Sequence, residues 1–85
     1  MDENQKNQTS SADNGDLPVV DARYMEPPQP FTETMEMLDR LQPGEKMRLL
    51  LFREPHPLYK VLRQNGHSYE AQLLADGTFE IVITR

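Results

Sequence analysis

The segment "YEAQLLADGTFEIVI", residues 69–83, holds two alternating apolar patterns on either side of an Asp-Gly pair. The apolar positions are Tyr69, Ala71, Leu73, Phe79, Ile81 and Ile83. Alternation with a period of two is typical of strands that bury one face. Asp-Gly favours a two-residue primed turn. The segment therefore predicts a β-hairpin with a primed turn at Asp76-Gly77.

A strand and a helix are predicted near the start of the folded part. The run "LPVVDA", residues 17–22, is short, apolar and bounded by Pro18, which suits a strand near a sheet edge. From Phe31 the spacing changes to that of a helix. One face of this helix carries Phe31, Met35, Leu38 and Leu41, and Glu33, Glu36 and Asp39 point outward. Pro43-Gly44 ends it in a turn.

A second strand and helix follow. The run "KMRLLLF", residues 46–52, is too short for a helix between its breakers and predicts a strand covered on at least one face. "EPHPLYKVLRQNG", residues 54–66, predicts a helix of about three turns, with Leu58, Val61 and Leu62 as its buried stripe. Asn65-Gly66 is typical of a left-handed helix end.

The predicted element order is therefore β-α-β-α-β-β. Right-handed crossovers place both helices on the same face of the sheet. We expect an α+β, two-layer sandwich with a mixed four-stranded sheet of order 1-2-4-3, whose last strand is antiparallel to its neighbours.

The N-terminal residues 1–16 differ from the rest in composition. They hold no large apolar residue beyond Met1 and carry four acidic residues and one lysine, a net charge of −3. Residues 17–85 carry eight Lys and Arg against ten Asp and Glu, a net −2. We expect a disordered polar tail over 1–16 and one domain over 17–85.

Composition also excludes several function classes. With no Cys in 85 residues, the chain has no disulfide, no thiolate nucleophile and no cysteine metal site. The nearly balanced charge of the domain argues against nucleic acid as the main partner. No segment approaches the roughly 20 apolar residues of a membrane span, and no signal peptide is present. We expect a cytoplasmic monomer.

Catalytic and metal-binding patterns are missing from the sequence. It has no phosphate-binding Gly-rich loop, no His-Glu-x-x-His and no Gly-x-Ser-x-Gly elbow. The histidines His56 and His67 flank the second predicted helix on opposite ends, which argues against a shared metal. We expect no catalytic residues, no cofactor and no metal, and therefore a protein that is not an enzyme.

Two stretches resemble a known group of proteins. "VVDARYMEPPQPFTETMEML", residues 19–38, resembles the start of the sulfur-carrier domains of the TusA and SirA type, in which Cys-Pro-x-Pro opens the first helix. "REPHPLYKVL", residues 53–62, is similar to the Asp/Glu-Pro-x-Pro-Leu signature of an uncharacterised bacterial group, domain of unknown function family 2249. The resemblance covers residues 17–85 and implies a TusA/SirA-like fold.

One departure from the carrier pattern determines which chemistry this chain can perform. The carriers use their Cys as a persulfide, and Pro27 stands at that position here. Persulfide transfer therefore needs a nucleophile that this chain lacks. We interpret the remaining motif residues as structural, because proline is preshaped for a first helical turn and restrains the residue before it. These residues are Asp21, Pro27, Pro28, Pro30, Pro55 and Pro57.

The best candidate site lies where two predicted strands end. The loops 21–30 and 53–57 leave from the carboxyl ends of parallel strands, where ligands tend to bind. Two helix N-termini that favour anions lie beside them. The candidate binding residues are Arg23, Tyr24, Glu26, Arg53, Glu54, His56 and Tyr59. The alternative is that these charges only pair with each other or with solvent.

Two functional hypotheses follow. The first is a non-catalytic binding or regulatory domain that docks a protein partner or a small anionic ligand through these loops. The second is a cysteine-free accessory or regulator in a sulfur-relay pathway. Nucleic-acid binding is a weaker third hypothesis, because it depends on a shared topology alone.

Overall fold

The computed structural model describes residues 16–85. All of the predicted tail except Asp16 lies outside the described residues. The elements in this range are β1 Val19–Asp21, α1 Gln29–Arg40, β2 Lys46–Leu51, α2 His56–Gln64, β3 Ser68–Leu73 and β4 Phe79–Thr84. Neither helix in this part of the chain is long and apolar enough to cross a membrane.

The four strands form one mixed sheet of order β1-β2-β4-β3. β1 is parallel to β2, and α1 provides the crossover that a parallel pair needs. β4 lies between β2 and β3 and is antiparallel to both. The predicted α+β class, strand order and antiparallel last strand are confirmed.

Both helices pack on one face of the sheet. The strand residues on that face alternate as predicted: Met47 and Leu49 of β2 lie opposite Ile83 and Ile81 of β4. These four side chains are fully buried against residues of both helices. Burying each one contributes about 1.5–3 kcal/mol to folding, so these central strands carry much of the stability.

The helices bury somewhat different residues from those predicted. In α1, Phe31 is 43% exposed, and the fully buried Thr34 joins the stripe instead. β1 is only three residues long, so it leaves the first turn of α1 with little sheet beneath it. In α2, Tyr59 is buried and Val61 is half-buried, because the Tyr59 ring stacks on Tyr69 of the edge strand β3.

The hairpin turn differs from the predicted primed turn. The amide of Leu74 donates to the carbonyl of Thr78 at 2.8 Å, and the amide of Gly77 donates to the carbonyl of Leu74 at 3.0 Å. The turn therefore spans residues 74–77, with Gly77 in its last position at φ +90°. This is a three-residue loop closed by a glycine bulge. The carboxylate of Asp76 accepts the amide of Thr78, which fixes this geometry.

Candidate functional site

Three connections meet at one end of the sheet, which we call the loop edge: residues 22–28, 52–55 and 74–78. β1 and β2 are parallel and end side by side, since Asp21 lies opposite Leu50. The hairpin loop lies at the same end of the sheet, because β4 is antiparallel to β2 and begins with Phe79 opposite Leu51. The loop edge thus contains both predicted loops and, in addition, the hairpin loop.

Backbone hydrogen bonds fix the β1–α1 loop on the sheet. Ala22 is buried, and its amide donates to the carbonyl of Leu50 at 2.9 Å. The Ala22 carbonyl accepts the amide of Met25, and the Glu26 carbonyl accepts the amide of Gln29. Pro27 and Pro28 follow as exposed residues at the corner before α1. The backbone of this loop is therefore held in place before any partner binds.

Arg23 links this loop to the strand below it and to the hairpin. Its Nε and Nη2 donate to the two carboxylate oxygens of Asp21 at 2.9 and 2.7 Å, a bidentate pair. Its Nη1 lies 4.0 Å from a carboxylate oxygen of Asp76. The hydrogen bond from Arg23 lowers the pKa of Asp21. The pKa of Asp76 is lowered mainly by the backbone amide of Thr78.

An exposed aromatic pair occupies the loop edge beside this ion pair. Tyr24 is 86% exposed and Phe52 is 47% exposed. Their ring centroids lie 5.4 Å apart with the planes at 80°, an edge-to-face contact. One ring comes from the β1–α1 connection and the other from the β2–α2 connection, so these two connections meet through Phe52, a residue that precedes the predicted loop 53–57.

Glu54, His56 and Tyr59 form a separate cluster at the start of α2. The Tyr59 hydroxyl donates to Glu54 at 3.0 Å, and His56 Nε2 lies 3.5 Å from the other carboxylate oxygen. Tyr59 is only 6% exposed, so it cannot contact a partner as a surface residue, contrary to its place among the candidate binding residues. Burial, together with the Glu54 carboxylate, raises the pKa of Tyr59.

The side chains of two candidate residues lie on the surface of the domain. Glu26 and Arg53 are both exposed. Neither forms an ion pair with another residue in the range 16–85. Arg23 forms an ion pair with Asp21, and His56 Nε2 lies close to the Glu54 carboxylate, whereas Glu26 and Arg53 face solvent. The alternative in which these charges only pair with each other or with solvent therefore stays a prediction.

Sequence reasoning missed Phe52 and Asp76. The apolar run 46–52 predicts Phe52 at the end of the second strand, but the strand stops at Leu51 and the Phe52 side chain is exposed to solvent. As part of the Asp-Gly pair, Asp76 predicts only a turn. The antiparallel direction of β4 brings that turn to the loop edge, so the predicted topology already contained the information needed to include it.

The helix N-termini are poor anion sites. Pro28 and Pro55 are the N-caps and have no amide hydrogen, and Pro30 and Pro57 remove another from each first turn. The amides of Gln29 and His56 donate to carbonyls of their own loops. Of the first four positions, each helix therefore keeps one amide that has no acceptor within residues 16–85, on Phe31 in α1 and on Leu58 in α2.

Among the residues that the structure describes, no three His, Asp or Glu side chains are grouped so that they could hold a metal ion.

Comparison with known proteins agrees with this fold. The structure is similar to the crystal structure of a SirA-like protein from Desulfitobacterium hafniense, with a TM-score of 0.72 and 21% sequence identity over 80% of this chain and 96% of that one. No curated protein matches the sequence. Residues 19–85 match the family described as uncharacterized conserved protein, DUF2249. The chain therefore belongs to the DUF2249 family and has a SirA-like fold.

Proposed function

We propose that this domain is a non-catalytic interaction module that docks a protein partner through the loop edge. The observation that carries the proposal is the exposed pair of Tyr24 and Phe52. Aromatic residues are enriched at the energetic centres of protein interfaces, because they bury a large area with few rotatable bonds.

The surroundings of the pair support a specific partner chemistry. The backbone hydrogen bonds of the β1–α1 loop and the Asp21–Arg23 pair hold the backbone around Tyr24 in place, which lowers the ordering cost of binding. Arg53 directly follows Phe52 and makes no ion pair within residues 16–85. A partner that presents an apolar side chain next to a carboxylate would complement both groups.

A small anionic ligand fits this edge less well. Anion sites at helix N-termini need several free amides that point at the ligand. The prolines and loop carbonyls leave one in the first turn of each helix. Arg23 is already paired with Asp21, which leaves Arg53, among the described residues 16–85, as the cation available to an anion at this edge.

A role in sulfur relay is a second proposal, supported by the SirA-like fold and by the position of Pro27 at the corner before α1. Because the chain has no Cys, it could only occupy the docking site of a carrier and could not accept sulfur. Competition between this domain and a carrier for the same enzyme would support this proposal. Unchanged carrier binding at saturating domain would contradict it.

Photo-crosslinking tests the main proposal. A benzoylphenylalanine at position 24 keeps an aromatic ring at the loop edge and should crosslink to the partner in intact cells. The same probe at Lys60, on the exposed side of α2, should not crosslink to that protein. The partner is then purified and titrated with the wild-type domain.

The double variant Tyr24→Ala/Phe52→Ala should weaken that binding by at least about tenfold, as expected for central aromatic contacts. Val19→Ala, which removes an exposed apolar side chain from β1, should leave it unchanged. Equal affinity of the double variant and the wild type would refute docking through this pair. Chemical-shift changes with inorganic phosphate, confined to Arg53 and the first turns of the helices, would favour the anionic ligand instead.

A further inference from the structure

The edge strand β3 presents three residues whose backbone groups point away from the sheet. The hydrogen bond from the Leu74 amide to the Thr78 carbonyl determines which residues of β3 direct their backbone amides and carbonyls toward β4. Hydrogen-bonded pairs alternate along an antiparallel ladder, so Gln72, Glu70 and Ser68 bond to β4. Tyr69, Ala71 and Leu73 therefore direct their amides and carbonyls outward.

Little protects this edge from pairing with another strand. β3 has six residues without Pro, Lys or Arg and with a single charge, Glu70, and Ala71, Gln72 and Leu73 are all exposed. The outward groups of Tyr69, Ala71 and Leu73 accept or donate no backbone hydrogen bond elsewhere within residues 16–85. The opposite edge of the sheet is different, because β1 has only three residues and follows Pro18. Natural proteins usually shorten or charge such edges.

In place of the monomer expected from the sequence, we infer that β3 pairs with β3 of a second copy of this chain, antiparallel and with Ala71 on the twofold axis. In this register Ala71 faces Ala71 of the second copy, and Tyr69 faces Leu73. All three outward residues of each copy then pair, which gives about six intermolecular backbone hydrogen bonds. Glu70 lies opposite Gln72 of the second copy, on the face of the sheet away from the helices.

The avoidance of like-charge repulsion and the length of β3 select this register. Moving the axis by one residue to position 70 would place Glu70 directly opposite its own copy, and like charges facing each other across strands are destabilising. Moving it to position 72 would leave fewer residues paired, because β3 ends at Leu73. With the axis at Ala71, each Glu70 carboxylate can accept a hydrogen bond from the Gln72 amide.

The resulting assembly joins two four-stranded sheets into a continuous one. The twofold axis is perpendicular to the sheet, so all helices lie on one face. Antiparallel pairing places the two loop edges at opposite ends of the assembly. This inference is independent of the proposed function, since Tyr24 and Phe52 lie on the loop edge and not along the side of β3.

Amide hydrogen exchange of the full chain tests the pairing directly. The experiment follows exchange by NMR at several concentrations, alongside sedimentation equilibrium. In a monomer the amides of Tyr69, Ala71 and Leu73 exchange fast, whereas those of Glu70 and Gln72 are protected by β4. With rising dimer fraction the first three should become protected. A chain that stays monomeric to millimolar concentration, or a dimer in which these three amides still exchange fast, would overturn the inference.

Two variants at one exposed position provide a matched pair. Gln72→Lys places a cation opposite Glu70 of the second copy and should tighten dimerisation, on the order of threefold. Gln72→Glu places two carboxylates opposite each other and should weaken it by a similar factor. Equal dimer affinities of the two variants, or shifts in the reverse order, would contradict the register.

The absence of native Cys allows a further check on the axis. Residues of a hydrogen-bonded antiparallel pair have Cα atoms about 5.5 Å apart, within disulfide range. Ala71→Cys should therefore crosslink to its own copy under mild oxidation. Gln72→Cys should not, because its two copies are offset along the strands. Preferential crosslinking of Gln72→Cys would place the axis elsewhere.

Discussion

Tyr59 connects three parts of the domain through one buried side chain. Its ring stacks on Tyr69 of β3 with centroids 4.3 Å apart and planes at 5°. Its hydroxyl donates to Glu54 in the β2–α2 loop. Tyr69 in turn accepts a hydrogen bond from Arg63 of α2. A tyrosine suits this position because its ring packs in the core while its hydroxyl reaches a polar partner at the rim.

Replacing Tyr59 by Phe keeps the ring and removes the donor. We expect the free energy of unfolding to fall by about 1 kcal/mol at pH 8, the typical net value of one hydrogen bond. Burial raises the pKa of Tyr59 in the folded state. The hydroxyl therefore contributes its stability below about pH 10, where the unfolded tyrosine is also protonated, and loses it as the pH rises further.

Urea denaturation of both proteins between pH 8 and 11 measures this difference. The stability advantage of the wild type over Tyr59→Phe should shrink above about pH 10, the ordinary pKa of tyrosine. An advantage that stays constant up to pH 11 would contradict the raised pKa of Tyr59 in the folded state.

Asp21 and Asp76 allow a prediction with an internal control. Both carboxyls have a lowered pKa, but the main cause is Arg23 for Asp21 and the Thr78 amide for Asp76. In Arg23→Ala the pKa of Asp21 should rise toward about 3.9, and the pKa of Asp76 should change little. The contribution of the Asp21–Arg23 pair to stability is present above that pH and is lost as the pH falls through the lowered pKa.

NMR titration of the carboxyl carbons reads the two groups separately. If Asp76 shifted as much as Asp21 in Arg23→Ala, the long contact between Arg23 and Asp76 would be stronger than its 4.0 Å distance indicates.

At the scale of the elements, the two faces of the sheet differ in what they bury. Ile81 points toward the helices and belongs to the hydrophobic core. Leu50, which follows the residue opposite Ile81 in β2, is 8% exposed but points to the face without helices. Truncating the two side chains should therefore have unequal effects, although both strands are central.

We expect Ile81→Ala to lower the free energy of unfolding by about 2–5 kcal/mol, because the cavity is enclosed by helices and strands. Leu50→Ala should cost less, about 2 kcal/mol or below, because water can enter the space it leaves. Urea denaturation at neutral pH compares them. A larger loss in Leu50→Ala would mean that a further part of the molecule covers the face without helices.

Sequence periodicity predicted the elements because each has one dominant pattern. The alternation in β4 and the spacing of Leu38 and Leu41 both identify the buried face correctly. Three features depend on tertiary contacts and could not be predicted this way. Thr34 is buried because it lies above the sheet. Tyr59 is buried because its ring stacks on Tyr69, ten residues later in the chain. Phe31 is exposed because β1 is short.

The candidate site was predictable to the extent that topology fixed it. Strand order and direction bring the two βα loops to the same edge, and this prediction needed no side-chain detail. The contact between Tyr24 and Phe52 was not predictable, because it depends on where β2 stops. The loss of anion-binding capacity could have been predicted from the prolines, since Pro28, Pro30, Pro55 and Pro57 each remove an amide donor from a helix start.

At the scale of the whole molecule, the two proposed surfaces use different parts of the sheet. The loop edge lies at the ends of the strands, and the pairing edge runs along the side of β3. A dimer would carry two loop edges that point in opposite directions, so it could bind two partners without a conflict between the surfaces. If the two loop edges of a dimer bound two partner sites that are linked to each other, the affinity would rise because the second binding event is intramolecular.

The last prediction concerns how much of the chain the fold requires. The buried core runs from Val20 to Ile83, and the family match begins at residue 19. We therefore expect a chain of residues 16–85 to unfold with a free energy within about 0.5 kcal/mol of that of the full chain. A chain that begins at Arg23 should lose much more, because it lacks β1 and the buried Val20 and Ala22.

Urea denaturation of the three chains at equal concentration makes the comparison, and the shortest chain is the control that shows the assay detects a lost element. Equal concentration matters because dimerisation through β3 would add a concentration-dependent stability to any chain that keeps that strand. If removing residues 1–15 cost more than about 1 kcal/mol, those residues would have to contact the domain in its folded state.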